Sequence, residues 1–231
     1  MPKVPIDGFQ LYYESDGVGE PLVLIPGFAS GRSLWSRQVG PLARHFRVIS
    51  FDPRGVAQSD KPDGPQTISL LADDVAALLT FLGIESAHVV GVSFGGFVAQ
   101  EFALRHPQMT QSLVLCCTSF GGPNHVVPEP EVMKEIMQPR AAGDVSEDMY
   151  RVQLQAAVSF NTEARLAAIK SPTLIVSGDA DTIVPVQNSY NLTRQIPNAE
   201  LRLVPGGSHT FFMEQQADEF NQVVTEWLLR K

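Results

Sequence analysis

Only two cysteines occur among the 231 residues, Cys116 and Cys117, and they are adjacent. Neighbouring residues on a strand point to opposite faces, so a disulfide between them has poor geometry. Neither has a second Cys or a His at metal-ligand spacing, so both read as core thiols and no metal site is expected. No stretch approaches the roughly 18 apolar residues of a membrane span, and residues 1–8 lack the apolar core of a secretory signal. Positive charge is also scarce: 17 Lys and Arg stand against 25 Asp and Glu, a net charge of −8, with no basic run suited to nucleic acid or an anionic membrane. There is no G-x-G-x-x-G, and no Lys-Ser or Lys-Thr follows a Gly-rich turn as a phosphate-cradling loop requires. These absences lead to the expectation of a soluble, cytoplasmic, single-domain protein without a nucleic-acid or membrane partner.

Apolar residues are plentiful and fall into short runs. Residues 4–6 and 9–13 flank Asp7-Gly8, the two-residue signal for a type I′ hairpin, so the chain should open with antiparallel strands. After Gly19 the pattern alternates. Strands are expected at residues 21–25, 47–51, 87–92, 112–117, 173–177 and 200–204. Helices are expected at about 33–43, 68–82, 94–105, 185–195 and 213–229. Short β-rich runs separated by helices call for a mostly parallel sheet covered on both faces, an α/β architecture.

Residues 123–170 interrupt this rhythm. The segment starts with Pro123, Pro128 and Pro130, continues with two or three weakly amphipathic helical patterns, and offers no convincing strand. Ala141-Ala142-Gly143-Asp144 reads as a loose joint between short helices. The chain thus divides into a core of residues 1–122 and 171–231 and a helical insertion of residues 123–170, either a peripheral crossover or a lid.

In Gly91-Val92-Ser93-Phe94-Gly95 a serine sits between two glycines where an expected strand meets an expected helix. Such a corner points a hydroxyl out of the sheet and leaves the N–H of Phe94 free to bind an oxyanion. A serine hydroxyl is a poor nucleophile at neutral pH and needs a base, itself oriented by a third group. Five histidines compete for that role. His45 and His106 sit at helix ends, His88 begins a strand and His125 lies in the proline-rich segment, whereas His209 lies in Gly206-Gly207-Ser208-His209-Thr210 after the last strand. A loop there emerges at the carboxyl edge of a parallel sheet, as Ser93 does, so His209 is the candidate base. The acid should come from Gly178-Asp179-Ala180-Asp181, which offers two carboxylates that could equally form a turn or cap a helix. Leu34, Trp35, Phe211 and Phe212 lie near this site in sequence and could line an apolar pocket.

Together these features resemble the α/β-hydrolase superfamily, specifically its compact serine esterase and enol-lactonase-like branch, over nearly the whole chain outside residues 123–170. The order Ser, Asp, His is the family's. Its G-x-x-D-x-x-x-P segment aligns Gly178, Asp181 and Pro185, which favours Asp181 over Asp179 as the acid. Pro26-Gly27-Phe28-Ala29 occupies the family's first oxyanion loop, which implies Phe28 as the second N–H donor beside Phe94. Residues 52–59 are similar to the family's D-x-R-G-x-G-x-S, with Ala57 where glycine is usual. The resemblance implies an eight-stranded, mostly parallel sheet with a shortened helical cap, and a Ser-His-Asp triad cleaving small carboxylic esters through an acyl-enzyme without any cofactor. Relatives with an aspartate nucleophile, the haloalkane dehalogenases and epoxide hydrolases, are disfavoured by Ser93. Lactone hydrolysis, perhydrolysis with the same triad, or slow ligand binding are the alternatives. An insertion covering the pocket only partly would favour acetyl and butyryl esters over palmitoyl esters.

Overall fold

Strands β1 (Lys3–Ile6) and β2 (Phe9–Asp16) form the opening hairpin, and between them Asp7 and Gly8 take φ of +39° and +87°, the left-handed values that a type I′ turn requires. The computed structural model describes residues 2–141 and 143–231. Met1, at the start of the N-terminal stretch, and Ala142, within the joint expected at residues 141–144, lie outside the described residues.

Six further strands follow: β3 (Glu20–Ile25), β4 (Phe46–Phe51), β5 (Ala87–Val92), β6 (Thr110–Cys116), β7 (Thr173–Gly178) and β8 (Ala199–Val204). They join the hairpin in one eight-stranded sheet of order β1-β2-β4-β3-β5-β6-β7-β8. The β1–β2 and β2–β4 pairs are antiparallel and all others parallel. All six residues of β5 are buried, as a strand covered on both faces must be. Alternate residues of the central strands feed two cores. Val23, Val89, Leu113 and Ile175 pack with helices α2 (Ile68–Phe81) and α3 (Phe94–Arg105), while Leu24, Val90, Val114 and Leu174 pack with α7 (Ala217–Leu228).

Two expected helices are shorter than their pattern. The stretch 33–43 splits into a 3-10 turn at Arg32–Trp35 and α1 (Val39–Leu42), because Pro41 inside a continuous helix would lose a hydrogen bond and clash with the carbonyl of Arg37. The last helix begins at Ala217, after a 3-10 turn at Phe211–Met213. Gln38 Nε2 donates to the Phe212 carbonyl (2.5 Å) and Arg37 Nη1 to the carbonyls of Met213 (3.3 Å) and Glu214 (3.0 Å), which draws these acceptors out of a helical ladder.

Between β6 and β7 run α4 (Pro130–Ile136), α5 (Glu147–Val158) and a 3-10 helix at Glu163–Ala168. Helix α6 (Gln187–Gln195) completes the set. Beneath the carboxyl edge a buried two-pronged pair, Arg54 Nε to Asp74 Oδ2 at 2.5 Å together with Arg54 Nη2 to Asp74 Oδ1, ties the loop after β4 to α2. Among the described residues no helix is long and apolar enough to cross a membrane.

His88 on β5 is fully buried, with Nδ1 2.8 Å from Ser112 Oγ and Nε2 3.3 Å from Glu20 Oε2. Burial holds its pKa below the ordinary histidine value, outweighing the opposing influence of Glu20. The unfolded chain therefore takes up this proton first: His88 contributes its full stability above the ordinary value of about 6.5 and loses it as pH falls towards the folded value, by at most about 1.4 kcal/mol per pH unit. Tm is expected to drop between pH 7.5 and pH 5, with a shallower drop in His88→Gln. Equal drops in the two proteins, followed by thermal melts across that range, would remove His88 as a source of the acid sensitivity.

Candidate active site

Ser93 lies between β5 and α3 with φ +53° and ψ −118°, a conformation that costs a non-glycine residue about 1–3 kcal/mol. Several bonds hold it there. Its N–H donates to the Cys116 carbonyl (2.8 Å), and its own carbonyl accepts from Gly96 N–H (2.9 Å) and Thr118 Oγ1 (2.7 Å). The flanking glycines have steric work. A Cβ on Gly91 would run into the carbonyl of Gly95, and one on Gly95 into the carbonyls of Ile25 and Pro26, so α3 can start tight against β5 and the end of β3 only because both positions lack side chains.

The loops after β7 and β8 meet the same edge. Asp181 is buried and its carboxylate is fully engaged: Oδ1 accepts from the N–H groups of Ile183 and Val184 (2.8 Å each), and Oδ2 lies 2.8 Å from His209 Nδ1. That contact fixes the ring and, when His209 is neutral, leaves Nε2 as the acceptor nitrogen. Asp179 does something else. Its Oδ1 accepts from Gly206 N–H at 2.6 Å, pinning the turn that leads to His209. The two carboxylates thus divide the work, one facing the imidazole and one shaping its loop.

Ser93 and His209 both line a cavity of about 920 Å³, together with Phe28, Leu34, Phe94 and Phe212. Two residues expected there are placed elsewhere. Trp35 and Phe211 are fully buried in the core beneath, Trp35 against Phe212 (centroids 5.6 Å apart) and Phe211 against Phe212 and Phe220 (6.0 Å each), where large rings gain more from complete burial. The remaining wall lies outside these expectations. It consists of Met133, Ile136 and Met137 of α4 and its cap, and Tyr150, Leu154 and Val158 of α5. Their spacing, i, i+3, i+4 and i, i+4, i+8, was the signal available to find them.

Phe94 and Phe28 both line the cavity with Ser93. Phe94 is the first residue of α3, where an N–H has no acceptor within the helix. Phe28 follows β3, packed edge-on against Phe94 (5.7 Å) and Tyr150 (4.7 Å). The next amide along is already committed, Ala29 N–H donating to Gln153 Oε1 at 2.8 Å.

Behind the imidazole, Cys117 Sγ, an Asp181 oxygen and a His209 ring nitrogen lie within 4.8 Å of one another, a group of metal-ligating types that sequence spacing did not reveal. A cation there would compete with the Asp181–His209 hydrogen bond. Burial pushes the adjacent Cys116 thiol well above the usual range, with its contact to Cys117 acting in the same direction, so Cys116 stays a thiol.

Residues 20–152 match the family model described as alpha/beta hydrolase fold, and residues 152–216 match one described as serine aminopeptidase, S33. The candidate carbamate hydrolase RutD of Azorhizobium caulinodans is 28% identical, with 97% of each chain covered. That match extends over 257 positions against 231 residues here, so the relative contains stretches with no counterpart in this chain. Among solved structures, the enol-lactonase from Burkholderia xenovorans LB400 is 26% identical, with a TM-score of 0.87 over 99% of this chain and 100% of that one. A thermophilic esterase from Thermogutta terrifontis is likewise 26% identical, with a TM-score of 0.82 over 100% and 99%.

The tight corner at Ser93 has a direct test in Gly95→Ala. The added methyl would meet backbone carbonyls that cannot swing away, so a loss of about 1–3 kcal/mol or more in stability is expected by denaturant unfolding. A variant as stable as the parent would mean that α3 has room to shift.

Proposed function

The chain belongs to the α/β-hydrolase fold family, and within it we propose that it is a serine hydrolase of small-molecule carboxylic esters, working through Ser93, His209 and Asp181. One observation carries this reading: Ser93, at a strained strand-to-helix corner, shares a cavity with a histidine whose other ring nitrogen is held by a buried carboxylate. A binding protein would need none of these roles together.

In the proposed mechanism His209 Nε2 takes the proton of the Ser93 hydroxyl as its oxygen attacks the acyl carbon. Asp181 keeps the proton on Nδ1 and stabilises the imidazolium. The N–H groups of Phe28 and Phe94 donate to the oxyanion, an interaction stronger in the transition state than in the ground state. Collapse breaks the ester C–O bond, and His209 returns the proton to the departing alcohol. Water then attacks the acyl-enzyme with His209 again as base. Residues 123–170 act as a cap, a role supported by the side chains that α4 and α5 contribute to the cavity wall. Lactones are the second reading, favoured by the likeness to the Burkholderia enol-lactonase.

The size of the cavity revises the expectation for chain length. About 920 Å³ lies near the top of the roughly 300–1,000 Å³ range of small-molecule sites, far more than an acetyl or butyryl group fills. The wall built by α4 and α5 is apolar, and each methylene buried against it is worth up to about 0.8 kcal/mol. In a p-nitrophenyl ester series kcat/KM is expected to rise at least about tenfold from acetyl to octanoyl. A maximum at acetyl would mean that this volume does not receive the acyl group.

The proposed triad predicts unit behaviour. Ser93→Ala and His209→Ala should each remove nearly all ester hydrolysis, with the double variant scarcely worse, and a fluorophosphonate should label Ser93. Asp181→Asn should lower kcat by orders of magnitude, whereas Asp179→Asn should chiefly lower stability through the Gly206 turn. Wild-type turnover in Ser93→Ala would overturn the nucleophile assignment, and the reverse ranking of the two aspartates would reassign the acid.

A further inference from the structure

The loop carrying Phe28 is fastened from outside the core. Ala29, the residue after Phe28, takes φ +55°, a left-handed conformation costing an L-residue roughly 1–2 kcal/mol. Both of its backbone polar groups are bound by residues between β6 and β7: its N–H donates to Gln153 Oε1 (2.8 Å) and its carbonyl accepts from Asp144 N–H (3.2 Å). Asp144 reaches further along the loop, where its Oδ2 accepts from Gly31 N–H (2.9 Å) and Ser33 Oγ (3.1 Å). The Asp144 carbonyl also accepts from Ala57 N–H (3.1 Å), so the same residue bridges to the loop after β4. Gln153 itself is 1% exposed on α5, an unusual place for an amide side chain unless a hydrogen bond repays its burial. On the ring side, Tyr150 of the same helix packs edge-on against Phe28, and its hydroxyl donates to the Ile136 carbonyl of α4 (2.8 Å).

We infer that Gln153 and Asp144 are positioning residues for the oxyanion donor at Phe28, and that α5 serves the reaction by clamping this loop as well as by walling the cavity. The inference rests on the Ser93 reading given above. An oxyanion donor is effective only when its N–H is aimed at the point where charge develops, and once the Ala29 amide is anchored the direction of the Phe28 N–H is set by the φ and ψ of Phe28. A strained turn keeps such angles only while its surroundings over-determine them. Gln153 provides the buried acceptor that does so at the strained residue itself, and Asp144 holds the carbonyl of that residue and two residues beyond it, Gly31 and Ser33.

The test is Gln153→Met, which keeps the length of the side chain and removes the acceptor. Since deleting an oxyanion donor costs about 10²–10³ in kcat, misaiming one is expected to lower kcat about 10- to 100-fold, with KM for the octanoyl ester within about twofold. An alkyl boronic acid, which forms a tetrahedral adduct on the serine, should bind weaker by a similar factor, while the matching alkyl amide, a ground-state ligand, should bind as before. Asp144→Ala, at a less buried position, should move kcat and boronate affinity in the same direction by a smaller factor, which keeps the inference testable if Gln153→Met does not fold. Gln153→Glu keeps an acceptor oxygen and should recover most of the boronate affinity. Unchanged kcat in a folded Gln153→Met, or equal losses for boronate and amide, would overturn the inference. Turnover surviving in Ser93→Ala would instead overturn the reading on which it rests.

Discussion

Ser93 is held at a φ of +53°, and most of what surrounds the cavity follows from keeping it there. The corner can exist only if α3 starts in contact with β5 and with the end of β3, which excludes side chains at Gly91 and Gly95 respectively. It also needs β6 alongside, since the carbonyl of Cys116 receives the Ser93 amide and Thr118 reaches back to the Ser93 carbonyl. Three neighbouring strands thus contribute to one backbone conformation, and the energy stored in it is offset by burial that the sheet would achieve in any case. Such a corner is in this sense a property of the sheet's centre and cannot be read as an isolated loop.

Around that corner the remaining loops are secured pairwise. Asp179 and Ala180, after β7, bind Gly206 and Gly207, after β8, through Asp179 Oδ1 (2.6 Å) and the Gly207 carbonyl (3.0 Å). Beneath the His209 loop lies the aromatic group of Trp35, Phe211, Phe212 and Phe220, which gives it an incompressible floor. The imidazole is aimed by a carboxylate whose other oxygen is saturated by two amides.

The parts of this arrangement that were legible in the sequence are those governed by local chemistry. Short apolar runs and period-3.6 patterns located all eight strands and helices α2, α3, α6 and α7, and Asp7-Gly8 announced its turn because few other dipeptides accept two positive φ values in succession. Ser93 and His209 stood out because each sits in a short glycine-rich stretch after a strand, whereas Asp181 was separated from Asp179 only by the resemblance of Gly178, Asp181 and Pro185 to the family's segment. What stayed hidden depends on partners distant in sequence. Nothing local tells that Trp35 and Phe211 turn down into the core while Leu34, next to Trp35 in the chain, lines the cavity. Nor does the sequence indicate that Gln153 meets Ala29, or that Cys117 comes to lie beside Asp181 and His209, since each juxtaposition is made by the sheet order. The break before α1 could have been read from Pro41, whereas the one at Glu214 could not, because amphipathic spacing persists across a kink that Arg37 and Gln38 impose from another segment.

The bonds from residues 144 and 153 to the loop after β3 also bear on how such a chain can be altered. Helical segments between β6 and β7 look like interchangeable parts, set above a core that would survive their replacement. Here the segment and the core share a hydrogen-bonded seam, Gln153 and Asp144 on one side and Ala29, Gly31 and Ser33 on the other. A chimaera that imports a foreign segment without equivalent acceptors would leave a buried amide of Ala29 without a partner, so variation at this seam has to proceed on both sides at once. The walls of the pocket are free to drift in sequence, but the hem by which they are sewn to the core is not.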